Sequence, residues 1–164
     1  MTNLSLDVLT LTHVAITLIA IFSGFVVLGQ MRSSTLSGCW TGVFLATSVL
    51  TSVTGFVFFH PPNFTPAQGV GIIALLVLVP TLYALYLKHL AGVWRPVYVV
   101  GALVSLWFNV FVLIIQLFLK VPALQSLAGA PPSGPVFGAV QGIVLIAFII
   151  AGWSSVKRFH PAGA

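Results

Sequence analysis

The sequence predicts an all-α polytopic membrane protein, a bundle of five transmembrane helices with the N-terminus outside the cytoplasm and the C-terminus inside. Three observations carry this expectation. Of the 164 residues, 59% are apolar and 4% charged, against roughly 25% charged in an average soluble domain. Six basic and one acidic side chain cannot clothe a water-facing surface. The apolar residues fall into five runs of about the 20 residues that a hydrocarbon core of ~30 Å requires. Five of the six Lys and Arg residues lie on one side of those runs, the side that the positive-inside rule assigns to the cytoplasm.

The first span is expected at about residues 6–29. No Lys or Arg precedes it, unlike the basic start of a cleaved signal peptide, so it reads as a retained helix. The second, about residues 39–59, follows a Ser-rich turn carrying Arg32 and ends at His60-Pro61-Pro62, where consecutive prolines withdraw backbone donors. The third, about residues 69–87, contains Pro80, which should kink it, a break that neighbouring helices make tolerable in lipid. The fourth, about residues 97–120, begins after Arg95-Pro96. The fifth, about residues 135–156, follows a Gly/Pro/Ser-rich stretch and precedes Lys157-Arg158 and a tail too short to fold. The spans leave about 60 residues for ends and loops, so residues 1–164 read as a single transmembrane domain without an internal repeat. Trp40, Trp94 and Trp153 lie near the basic ends, where interfacial indoles commonly sit.

Within lipid the informative residue is the polar one, since an unpartnered ionisable group at mid-depth costs at least ~2.5 kcal/mol. At 1.5 Å per residue, His13 should sit roughly 10 Å below the outer boundary, with Thr10 and Thr17 on its face. On the fourth span, Ser105, Asn109, Gln116 and Lys120 fall within about 60° of one another on a helical wheel and form one polar stripe. Gln116 should lie about 6 Å, and Gln141 of the fifth span roughly 9 Å, below the same surface, with Asn109 near mid-depth. Lys120 can snorkel to the interface.

His13, Gln116 and Gln141 are thus expected in one layer, rimmed by Asp7, His60, Asn63, Gln68 and Lys120. The inner halves carry hydroxyls such as Ser23, Thr81, Tyr83, Tyr86 and Tyr98, but no carboxylate, histidine or amide at depth. That asymmetry argues against an ion conduit through both leaflets and for a site open to the outside. The candidate ligand-binding residues are therefore His13, Asn109, Gln116, Lys120, Gln141 and His60. Each also has a plain structural reading. The amides serve as interhelical contacts worth about 0.6 kcal/mol each, Lys120 as an interfacial anchor, and His60 as a helix terminator.

Two ridges of small residues, Gly134/Gly138/Gly142 on the fifth span and Thr47/Thr51/Gly55 on the second, suit close helix packing, inside the bundle or in a homo-oligomer. The net charge of +5 is carried by single residues and one pair at span ends, the footprint of membrane topology and not of nucleic-acid binding. Cys39, the one cysteine, can form no internal disulfide. No HExxH, CxxC, GxSxG, Walker or GxGxxG pattern occurs in a usable context, and a single acid excludes paired-carboxylate catalysis; no catalytic or metal-binding residue is assigned. His13 and His60 differ in depth, and His89 and His160 lie on the opposite side, which argues against a bis-histidine b-type haem. A quinone, another lipid-like molecule, or a haem on one histidine stays compatible with the residues. The leading expectation is a membrane protein that binds such a ligand, with redox association as one form of it. A small-solute or ion transporter is the first alternative, and a structural or assembly subunit of a membrane complex the second.

The run Thr12-His13-Val14-Ala15-Ile16, together with Asn109-Val110-Phe111-Val112 through Gln116 to Lys120-Val121-Pro122, resembles small uncharacterised bacterial multi-pass inner-membrane proteins. The likeness covers most of the chain. It implies a bacterial inner membrane, with lipids as the surrounding partners, and no particular activity.

Overall fold

In lipid, an isolated segment can satisfy its own backbone only as a helix. The computed structural model describes residues 3–58, 66–129 and 131–161, and within them each long apolar run is helical. The elements are α1 (Asn3–Arg32), α2 (Gly38–Phe58), α3 (Pro66–Leu82), α4 (Trp94–Lys120), a short α5 (Pro122–Ala128) and α6 (Gly134–Arg158). Among the described residues, five stretches are long and apolar enough to cross a membrane: Val8–Arg32, Gly38–Phe56, Gln68–Leu87, Trp94–Lys120 and Gly134–Arg158. The all-α class and the number of spans agree with the sequence reading. Successive spans run in opposite directions, so Arg32, Lys88, Arg95, Lys157 and Arg158 gather at one end of the bundle, the basic end, and Lys120 lies at the other.

Three local features depart from expectation. α4 starts a turn early, at Trp94, because Pro96 then falls in the first helical turn, where its missing N–H would have had no partner anyway. Pro122 does not only close α4; it also occupies the first position of α5, which suits its fixed φ. Gln125 N–H reaches Val121 O at 2.9 Å, and Gly129, at φ 76°, ends the helix. Finally, α3 stays helical through Pro80, and the irregularity falls a turn later, where Tyr83–Leu87 is π-helical. Beyond it, His89, Leu90 and Gly92 all take positive φ to turn the chain into α4. Leu90 holds a conformation that bulky residues avoid, and its side chain, 3% exposed, is tucked into the core in exchange.

α4 is the hub of the bundle, touching α1, α2, α3, α5 and α6. The main core lies toward the basic end, where Val27 and Met31 of α1, Phe44 of α2 and Leu78 of α3 meet Tyr98 and Leu106 of α4. Gly24 permits this approach, since a Cβ there would lie 2.6 Å from Leu106 Cδ1 and 2.9 Å from Phe44 Cε2. A smaller cluster of Ile114, Phe118 and Ala128, packed by Leu124 and Phe137, sits at the opposite end. Ile143, Ile146, Ile149 and Ile150 of α6 stay exposed, as befits a helix bathed in hydrocarbon. Several hydroxyls inside the spans return their protons to the carbonyl one turn back, as Thr17 does to His13 O (2.9 Å) and Ser105 to Gly101 O (2.9 Å). A donor so used is not left idle in the membrane.

The two small-residue ridges differ. Thr51 and Gly55 of α2 face α1, with Thr51 Oγ1 at 3.4 Å from Thr17 Oγ1 and a Cβ at Gly55 placed 3.7 Å from His13 Cε1. A Cβ on Gly134, Gly138 or Gly142 would meet nothing within 4 Å, so the α6 ridge is open. The tail read as too short to fold is ordered at its start. Phe159 is wholly buried with its ring 5.9 Å from Tyr98, and His160 N–H donates to Ser34 Oγ at 2.7 Å. A single aromatic anchor is enough where a ready-made apolar socket exists.

Candidate functional site

His13 sits half-buried where α1 crosses α2, with Nδ1 2.8 Å from Thr54 Oγ1. The Thr54 hydroxyl has one proton, and its 2.7 Å contact with Leu50 O uses it. The imidazole Nδ1–H is therefore the donor to Thr54. Asn109, buried at 8% exposure, donates from Nδ2 to Ser48 Oγ at 3.2 Å and ties α4 to α2. Gln141 ties α6 to α4 through Nε2 and Phe111 O at 3.2 Å. Its Oε1 is buried with no hydrogen-bond partner.

Gln116 and Lys120, by contrast, are exposed. The stripe expected on α4 therefore holds at Ser105 and Asn109, which are buried, and turns outward beyond them. The cause is α5, an element the sequence reading lacked. Its Leu124 and Ala128, with Phe137 of α6, cover Ile114 and Phe118, whose ring lies 5.4 Å from that of Phe137. Apolar residues of α4 thus take the interior at that end, and Gln116 is left outside. His60 and Asn63 lie outside the described residues, as does the Asp7 side chain. His13 bonds to α2 and Gln141 to α4, Gln116 is exposed, and none of the three is among the residues lining the two hollows described next.

Those hollows lie elsewhere. The larger, about 570 Å³, is a groove between α3 and α4, lined by Ile73, Val77, Pro80, Thr81, Val97 and Val100 among others. Its wall is almost wholly apolar. Thr81 supplies the one hydroxyl there, and its proton is committed to Val77 O at 2.7 Å. The groove ends where Gly101 lets the helices close, since a Cβ at that position would collide with Thr81 Oγ1. The smaller hollow, about 260 Å³, opens at the basic end between Leu90, Gly92, Arg95, His160 and Pro161. Pro80 and Thr81 were visible in the sequence as a break and a hydroxyl; that they flank a groove depends on which face of α4 meets α3, which no single-helix pattern specifies.

Architecture and composition together define a multi-pass integral membrane protein. No protein-family model, curated protein or solved structure matches the chain.

Proposed function

We propose that this protein holds a lipid-like, chain-bearing molecule in the α3–α4 groove, within a bacterial inner membrane. The observation that supports it is the groove itself, whose volume of about 570 Å³ falls in the ~300–1,000 Å³ range of ligand sites. Pro80 has no N–H to give the carbonyl of Leu76, four residues back, and the Thr81 proton is already used. Thr81, at 0% exposure, is closed to a ligand, which leaves that carbonyl as the acceptor, so a hydroxyl-bearing ring such as a quinol suits the groove better than a quinone. Val100→Trp should fill the groove, and Val100 is 50% exposed, so the fold should tolerate the change. Mass analysis of solvent extracts is expected to find a co-purifying lipid-like molecule depleted about tenfold in that variant; equal amounts in both would overturn the reading.

A second reading keeps the ligand in the polar layer of His13, Asn109, Gln116, Lys120, Gln141 and His60. The buried, partnerless Oε1 of Gln141 favours it, because an acceptor stranded in the membrane asks for a donor. A molecule retained by Val100→Trp and lost from His13→Ala would belong there.

The proposed orientation, with the basic end in the cytoplasm, rests on the charge asymmetry. Cys39 is exposed at that end and is the sole thiol. A membrane-impermeant maleimide is expected to label it in inverted membrane vesicles and to leave it unlabelled in intact spheroplasts; the opposite pattern would invert the topology.

A further inference from the structure

We infer that the basic end carries a phosphate-binding site formed by Arg95 and His160, separate from the α3–α4 groove. Both residues line the hollow of about 260 Å³. Arg95 Nε is buried there with no hydrogen-bond partner, and a guanidinium N–H withdrawn from water without an acceptor carries a large desolvation cost. The chain itself offers no acidic side chain to meet it. Its one acidic residue is Asp7, 25 residues before Arg32 on α1 and hence roughly 38 Å away along the helix, at the other end of the bundle.

The neighbouring cations are placed differently. Lys88 Nζ lies 5.5 Å from the Tyr83 ring centre and 6.0 Å from that of Trp94, and Lys157 Nζ lies 4.5 Å from that of Trp153. Those lysines rest on interfacial aromatic faces. Arg95 instead lines a hollow that residues 160 and 161 of the tail also line. Burial of Phe159 and the bond from His160 N–H to Ser34 Oγ hold that tail in position. The backbone of His160 is thereby fixed at the same hollow as Arg95.

A planar guanidinium fork recognises two oxygens of one anion, and an imidazole lining the same hollow can donate to a third. A tetrahedral phosphate offers oxygens in both directions; a carboxylate, with two in one plane, does not. The hollow lies at the level of lipid headgroups, where basic pockets beside membrane helices take phosphate-bearing lipids. The same chemistry would accept a soluble phosphate.

The test uses the full chain in mild detergent, titrated separately with phosphatidylglycerol and with inorganic phosphate, with bound molecules read by native mass spectrometry. Binding is expected to fall about tenfold or more in Arg95→Gln and several-fold in His160→Ala. Lys157→Gln, which removes a cation from the same end, should change it by less than about twofold. Arg95→Lys keeps the charge without the fork and should lie between; it also serves if Arg95→Gln does not fold. Retained phosphatidylglycerol that inorganic phosphate fails to displace identifies a lipid headgroup. Phosphate binding with the same dependence on Arg95 and His160, and no lipid retention, identifies a soluble anion. Equal weakening by all the variants, or by none, overturns the site. Val100→Trp should leave this binding intact, so failure of the groove and failure of the phosphate site are read apart.

Discussion

Gly101→Ala is expected to lower the stability of the bundle by about 1–3 kcal/mol, the usual cost of forcing extra volume into a packed crossing. The added Cβ would collide with Thr81 Oγ1 and sit 3.1 Å from Thr81 Cβ. Thr81 cannot swing away. It is fully buried, and its hydroxyl is bonded to Val77 O, so α3 and α4 must separate. Thr81→Ala in the same chain removes the colliding oxygen and leaves only the 3.1 Å contact. The double variant should then recover at least about 1 kcal/mol relative to the sum of the single changes. Gly42, where a Cβ meets nothing within 4 Å, is the control: Gly42→Ala should be neutral or stabilising by up to about 1 kcal/mol. Thermal unfolding in detergent measures all four. Additive effects at positions 101 and 81 would mean that the two residues do not touch.

Removing one ring from the tail should cost more. Phe159→Ala is expected to destabilise by about 3–5 kcal/mol, the range for emptying a buried aromatic site, although Phe159 lies beyond the last helix. Its ring is 0% exposed and packs on Tyr98, itself 0% exposed, so the substitution opens a cavity in the main core. Trp153, a larger ring on α6, is 69% exposed; Trp153→Ala should stay within about 0.5 kcal/mol. Hydrogen exchange adds a local reading, since the amide of His160, bonded to Ser34 Oγ, should lose protection in Phe159→Ala. Equal effects from the two ring deletions would contradict the burial pattern.

Much of the fold was legible from composition, because a chain with so few charges has one way to satisfy its backbone in hydrocarbon. Helix ends were harder. A fourth span at residues 97–120 leaves Pro96 and Pro122 outside it, yet proline is welcome in a first turn, so the first lies inside α4 and the second opens α5. That one short helix then altered the site, since its cover over Ile114 and Phe118 turned Gln116 outward. Depth along a helix could be counted from sequence; the partner across the crossing could not. Nothing in a wheel of α1 says that His13 meets Thr54, and nothing in α6 says that Gln141 meets the Phe111 carbonyl. Phe159 was missed because a span-by-span reading treats the residues beyond the last span as excess.

The order of synthesis gives the Phe159 latch a further role. Chains fold broadly from their N-terminal segments onward as they emerge, so α1 through α4 assemble while α6 is still being made. During that interval the Tyr98 face and Ser34 have no tail against them, and the hollow beside Arg95 lacks its His160 wall. Docking of residues 159–161 therefore follows the making of α6, and a chain without them would hold all five spans while leaving the Tyr98 face and the Arg95 hollow uncovered.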